Sequence, residues 1–203
     1  EVKDPEVVGE FAAFAEARIP SQKQVDRMLE LLSSRDEFWA RYPVPSISMS
    51  DSTFDGAGRW KGTRKGSPWN GRTWPVVNSH ILEGLTYWAE RGNKKATKLA
   101  GELLRRTVLL MSGAIDGTEE ANCLEHFHPE NGFGSRYRGV DLNISSFMLD
   151  NIFRIGCGFA VRYGEIQDDP IGDAADFKLK GVPLGNKLFD VERKSGKLKV
   201  QPQ

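Results

Sequence analysis

"WPVVNSHILEGLTYWAERGNKKATKLAGELLRRTVLLMSGAI", residues 74–115, holds the two strongest helical patterns in the chain. Pro75 stands where a first helical turn tolerates a missing amide, Gly92 offers a left-handed cap, and Asn93 suits the start of a second helix. The run therefore reads as an antiparallel helical hairpin. Working outward, residues 5–18 repeat Val8, Phe11, Ala12 and Ala15 at helical spacing. Residues 20–34 offer Ser21 as a cap before a stripe of Val25, Met28, Leu29 and Leu32. Between these helices and the hairpin lies 41–73, broken by Pro43, Pro45, Pro68 and several glycines, with no sustained period. Loops of that length are usually functional when ordered.

On the other side, 116–143 reads as a second long loop and 144–164 as another helix burying Phe147, Ile152, Phe153 and Phe159. The tail, 176–200, alternates apolar and polar residues around "PLGN" and "KSGK", as short antiparallel strands do. Helix pairs separated alternately by short turns and long polar loops fit a ring of helical hairpins with its loops on one face. The expected fold is mainly α, with a short C-terminal β extension. The expected domains are residues 1–165 and a small strand extension, 166–203.

The chain of 203 residues is 39% hydrophobic, which is material for a real core rather than disorder. Its 28 basic and 28 acidic residues cancel, so no long-range field gathers nucleic acid or an anionic membrane. No run of about eighteen apolar residues exists, so no membrane partner is expected. Cys123 and Cys157 fit no metal-ligand spacing and leave the compartment open. The first residue is glutamate rather than methionine, which leaves room for an upstream segment removed from this chain.

The chemistry belongs on the two long loops, because flanking helices fix them while leaving their side chains free. "SPWNGRTWPVVN", 67–78, places Trp69 and Trp74 where Pro68, Gly71 and Pro75 prevent stacking on successive turns of one helix. Held by loop geometry, flat indoles suit the apolar faces of sugar rings, and Asn70, Arg72 and Asn78 can serve hydroxyls. The other reading is that both indoles plug the core beneath the loop and Arg72 pairs with a surface carboxylate. "NCLEHFHPENGFG", 122–134, carries Glu125 flanked by His126 and His128. A glutamate held in a cleft can act as the general base that activates water. Glu125 and the two histidines also raise a zinc site. In an extended segment, however, the histidines face away from Glu125, and no HExxH exists, so no metal is expected. His80 reads as an interfacial histidine within its helix.

At these residues the sequence resembles a known family. "WNGRTWPVVN", two helices, "LEHFHPENGFG" and a further helix holding "FMLDNI" look like the C-terminal half of the (α/α)6 catalytic domain of inverting glycoside hydrolases related to trehalase, processing α-glucosidase and mannosylglycerate hydrolase. In that family the first motif reads like YWRGPVWPNMN and the second like YEYYNPLTGEG. Trp69, Gly71, Trp74, Pro75 and Asn78 fall on the first, and Glu125, Phe127, Pro129 and Gly132 on the second. "RYPVPSISMSDSTF" resembles the strand-like approach to the same site. The resemblance covers residues 20–165. Asn70 replaces the family's usual arginine and Arg72 its proline, so the polar groups of this motif differ from the family's.

The resemblance implies that Glu125 is the general base, that Trp69, Asn70, Arg72, Trp74, Asn78 and His128 form the substrate site, and that no cofactor is needed. Inversion also requires a general acid, with the two carboxyl groups roughly 6.5–9.5 Å apart. In the family the acid comes from the preceding half of the ring. Asp51, Asp55 and Asp141 lie on the loops but match no such position, and each reads as a turn residue or cap. The expected partners are thus a carbohydrate substrate and the N-terminal half of the protein, or a second chain. The alternative is a carbohydrate-binding or scaffold domain without catalysis, and a plain helical interaction domain leaves the two loops unexplained.

Overall fold

Ser21 starts the first described helix by reciprocal capping: its Oγ accepts from the Gln24 amide at 3.4 Å, and Gln24 Oε1 accepts from the Ser21 amide at 2.8 Å. The structure, a computed structural model, describes residues 20–58, 69–115, 117–118, 120–135 and 142–203. The helix expected over 5–18, part of the first loop and Asp141 lie outside them. The chain divides into two compact units, Glu1–Met148 and Leu149–Gln203.

In the first unit, α1 (Gln22–Leu32) buries Val25, Leu29, Leu31 and Leu32. The expected hairpin is present as α2 (Pro75–Glu90) and α3 (Lys94–Met111). Gly92 closes α2 at φ +84, and Asn93 caps α3 by accepting from the Ala96 amide at 3.0 Å. Between them Ile81, Leu82, Leu85, Leu103 and Leu110 are at most 1% exposed. Each such side chain contributes roughly 1.5–3 kcal/mol by leaving water, so this pair is the main scaffold beneath the loops. α4 (Leu142–Asn151) runs across the division.

The second unit departs from the expected helix over 144–164. A single π-helical stretch, Ile152–Cys157, ends at Gly158, which caps it at φ +71. A Cβ there would stand 2.6 Å from that of Ala174. The chain continues as β1 (Phe159–Arg162), which pairs antiparallel with β2 (Glu165–Asp168). Tyr163 and Gly164 turn between them, both at positive φ, the geometry a two-residue hairpin needs. β3 (Phe177–Leu184), β4 (Lys187–Lys194) and β5 (Lys197–Pro202) form a separate antiparallel sheet in chain order. Its turns fall at Gly185–Asn186 and Ser195–Gly196, inside "PLGN" and "KSGK".

The expectation of a mainly α fold, with helical hairpins forming part of an (α/α)6 toroid, is thereby corrected. Among the described residues there are four α-helices and five strands in two sheets. α2 and α3 are the helices that pack extensively on each other. The physical reason lies in the C-terminal quarter. Glycines at 156 and 158 stop the helix before its apolar pattern ends, and the alternating residues beyond pair as strands.

Candidate functional site

The two loops singled out in the sequence meet through their backbones. Isolated antiparallel bridges join Pro45 to Thr73, Thr73 to Phe127, and Phe127 to Gly134. The Thr73 and Phe127 amides each donate to the other's carbonyl, at 2.9 and 2.8 Å, and the Ser46 amide donates to Arg72 O at 2.9 Å. Four short segments of the two loops thus form a small ladder. Gly71 is required where they close up: at φ +143, a Cβ would lie 2.8 Å from the Asp55 carbonyl carbon and oxygen. Phe127 is fully buried with Tyr42, Leu110 and Leu124, which anchors the ladder in the core.

On this ladder Trp69 and Trp74 stack with centroids 4.0 Å apart and planes 4° apart, and the His126 ring lies 4.7 Å from Trp74. Trp74 is buried, whereas Trp69 remains 42% exposed. The two indoles therefore divide the roles proposed for them, Trp74 as support and Trp69 as the accessible face. Stacking of this kind is worth about 0.5–1.5 kcal/mol beyond area burial. Arg72 contributes more. Buried, it donates from Nε to His126 Nδ1 at 3.1 Å, and through its terminal nitrogens to Gly56 O at 3.2 Å and Phe133 O at 3.1 Å. Bonds from a charged donor are worth about 1.5–3 kcal/mol each, so Arg72 is the clasp holding three loop segments together. Because His126 Nδ1 accepts, the proton of its neutral ring sits on Nε2.

Asn78 is fully enclosed. Its Oδ1 accepts from the Val44 amide at 3.0 Å, while Nδ2 donates to Pro43 O at 2.9 Å and Thr107 Oγ1 at 2.8 Å. The amide expected to serve sugar hydroxyls is spent inside the protein, tying the first loop to both helices. Asn70 is also buried, and its carbonyl accepts from the Asp55 amide at 2.7 Å. Glu125 is half-buried, with Oε2 shielded from solvent. The chain bends at Glu125 rather than running extended through it. That bend is why Leu124 and Phe127, which strict alternation would put on opposite sides, share one core cluster. Asp51 and Asp55 act as turn residues: Asp51 Oδ1 accepts from the Thr53 amide at 2.8 Å, and Asp55 Oδ1 from the Ala57 amide at 2.8 Å.

His128 Nδ1 accepts from the Glu130 amide at 3.1 Å. Burial, followed by the charge of Arg72, holds its pKa below the ordinary value, against smaller opposing pulls from Glu130 and Asp55. The linkage has a definite sign. Above the unfolded value, near 6.5, both states are neutral and the stabilisation is fully present; as pH falls towards the lower folded value, the unfolded chain takes up the proton first and stability declines. Denaturant midpoints measured from about pH 7.5 to 5 should fall, and His128→Asn should make that slope shallower. An unchanged slope in the variant would exclude this origin.

Two residues matter more than the sequence reading allowed. His126, read in the sequence only as a histidine facing away from Glu125, touches both Trp74 and Arg72. Phe133 is 53% exposed beside the carbonyl that Arg72 grips, a second accessible aromatic at the loops. Among the described residues no three His, Cys, Asp or Glu side chains gather as a metal centre requires.

The family model for the mannosylglycerate hydrolase MGH1-like glycoside hydrolase domain matches residues 2–143. Among solved structures, the chain is similar to one titled "Sialidase", at TM-score 0.65 and 14% identity over 94% of this chain and 18% of that one. This likeness concerns the fold alone. An uncharacterized conserved protein from Thermus thermophilus is matched at TM-score 0.45 and 23% identity, over 68% of this chain and 28% of that one. The chain thus spans less than a third of either protein. No curated protein matches it.

Proposed function

The chain belongs to the mannosylglycerate hydrolase MGH1-like glycoside hydrolase domain family, and from that premise we propose that it is part of an inverting glycoside hydrolase acting on an α-glycosidic bond. Glu125 is the general base that deprotonates the attacking water. Trp69 presents the aromatic face to the sugar, with His128 at the adjoining loop. Trp74, Asn70, Arg72 and Asn78 hold that surface in place. The observation that carries the reading is the backbone pairing of Thr73 with Phe127, which brings the loop of the indoles against the loop of Glu125.

The general acid is assigned to a segment outside this chain, either the N-terminal half of the protein or a second polypeptide. Both aspartates of the described first-loop residues are engaged in local turns, which supports that assignment. The acid must be protonated on the far side of the bond, since an alkoxide leaves poorly at neutral pH. Proton NMR of α-glucoside or α-mannoside hydrolysis by the full-length protein tests the stereochemistry. The β-hemiacetal should form first and the α-anomer appear only by mutarotation. An α-anomer formed first would exclude inversion, because retention needs a nucleophile rather than a base at Glu125.

A further inference from the structure

A cavity of about 590 Å³ opens in the first unit and is lined by none of the residues assigned to the glycosidase site. Its volume falls within the roughly 300–1,000 Å³ of small-molecule sites. Four arginines reach it: Arg35 and Arg41 from the segment after α1, and Arg105 and Arg106 from α3. Glu130 is the one carboxylate in the lining, and Glu102 stands behind it, bound by Arg106 Nε at 2.6 Å and by Arg105 through two bonds of 3.1 Å. Two carboxylates against four guanidiniums leave an excess of positive charge in a concave, partly apolar space.

The arginines are not equivalent. Arg106 is fixed, since its NH1 also donates to Ala40 O at 3.1 Å and Arg41 O at 2.9 Å, and its guanidinium lies 5.8 Å from the centre of the Trp39 ring. A donor group held in advance lowers the ordering cost of binding. Arg35 and Arg41 are exposed and hold no carboxylate among the described residues; Arg41 rests over the Tyr42 ring at 5.5 Å. Planar guanidiniums recognise the oxygens of phosphate or carboxylate in pairs. Trp39, Tyr42 and Leu109 supply the apolar wall for the rest of such a ligand.

We propose that this cavity is a binding site for a small oxyanion-bearing ligand, a phosphate or carboxylate compound, with Arg106 as its fixed donor and Arg35 and Arg41 closing on it. The test is calorimetric titration of the whole chain with inorganic phosphate, and separately with glycolate, at constant ionic strength so that general screening stays equal. Saturable binding is expected, weakened about tenfold or more in the Arg35→Gln/Arg41→Gln double variant. Arg27→Gln/Arg91→Gln, which removes the same charge elsewhere on the surface, should leave it unchanged. The tighter of the two probes identifies the ligand as phosphate or carboxylate. Non-saturable heats with both probes, or equal weakening in the two double variants, would overturn the site.

Discussion

Glu125→Gln should lower kcat on an α-glycoside by about 10²–10⁴-fold in the full-length protein while changing KM little, because the loss falls on proton transfer rather than on binding. Glutamine fits the half-buried position and preserves polarity, so the bend between Leu124 and Phe127 should survive. It cannot accept the proton of water. Circular dichroism and thermal melting establish that the variant is folded, and steady-state kinetics then gives the split between kcat and KM. Turnover within a few-fold of wild type would remove Glu125 from the chemistry. A protein that binds disaccharides saturably, with no turnover and no response to this change, is instead a carbohydrate-binding module on the same scaffold.

What the sequence disclosed depended on how local the determining interaction was. The α2–α3 hairpin was legible because Pro75, Gly92 and Asn93 act within one helical turn of their own positions. The hairpin turns of the last sheet were legible for the same reason. The end of the helix before Gly158 was hidden, since "IFRIGCGFAVRYG" carries apolar residues that serve either period. Only the left-handed conformation at Gly158 and the Tyr163–Gly164 turn decide for strands. The motifs that carried the family resemblance lie in loops and place those loops, but they do not specify how many helical pairs surround them. That is how motifs that led to a glycoside hydrolase family went with a fold expectation the structure corrected.

Within the site the same limit applies. The two tryptophans could be recognised as loop-held, and they do stack. The partners of Arg72 and Asn78 could not be recognised, because they lie far away in sequence, at Gly56, His126 and Phe133 for the first and at Pro43, Val44 and Thr107 for the second. A polar side chain in a motif looks the same whether it meets substrate or backbone.

Asn78→Ala distinguishes those two fates and should cost about 3–5 kcal/mol of stability, at the high end for a single substitution. It removes three hydrogen bonds and strands the Val44 amide and Pro43 carbonyl in a region sealed from water. Thr107 is less affected, since its Oγ1 still donates to Leu103 O at 2.8 Å. Each orphaned buried group costs about 1–3 kcal/mol, which dominates the small change in apolar contact. Denaturant unfolding measures the loss, and kinetics at low temperature measures the folded fraction, where KM should stay near wild type. A loss under about 1 kcal/mol together with a raised KM would mean that the amide turns to the sugar after all, and that its bonds to the loop are weaker than their geometry implies.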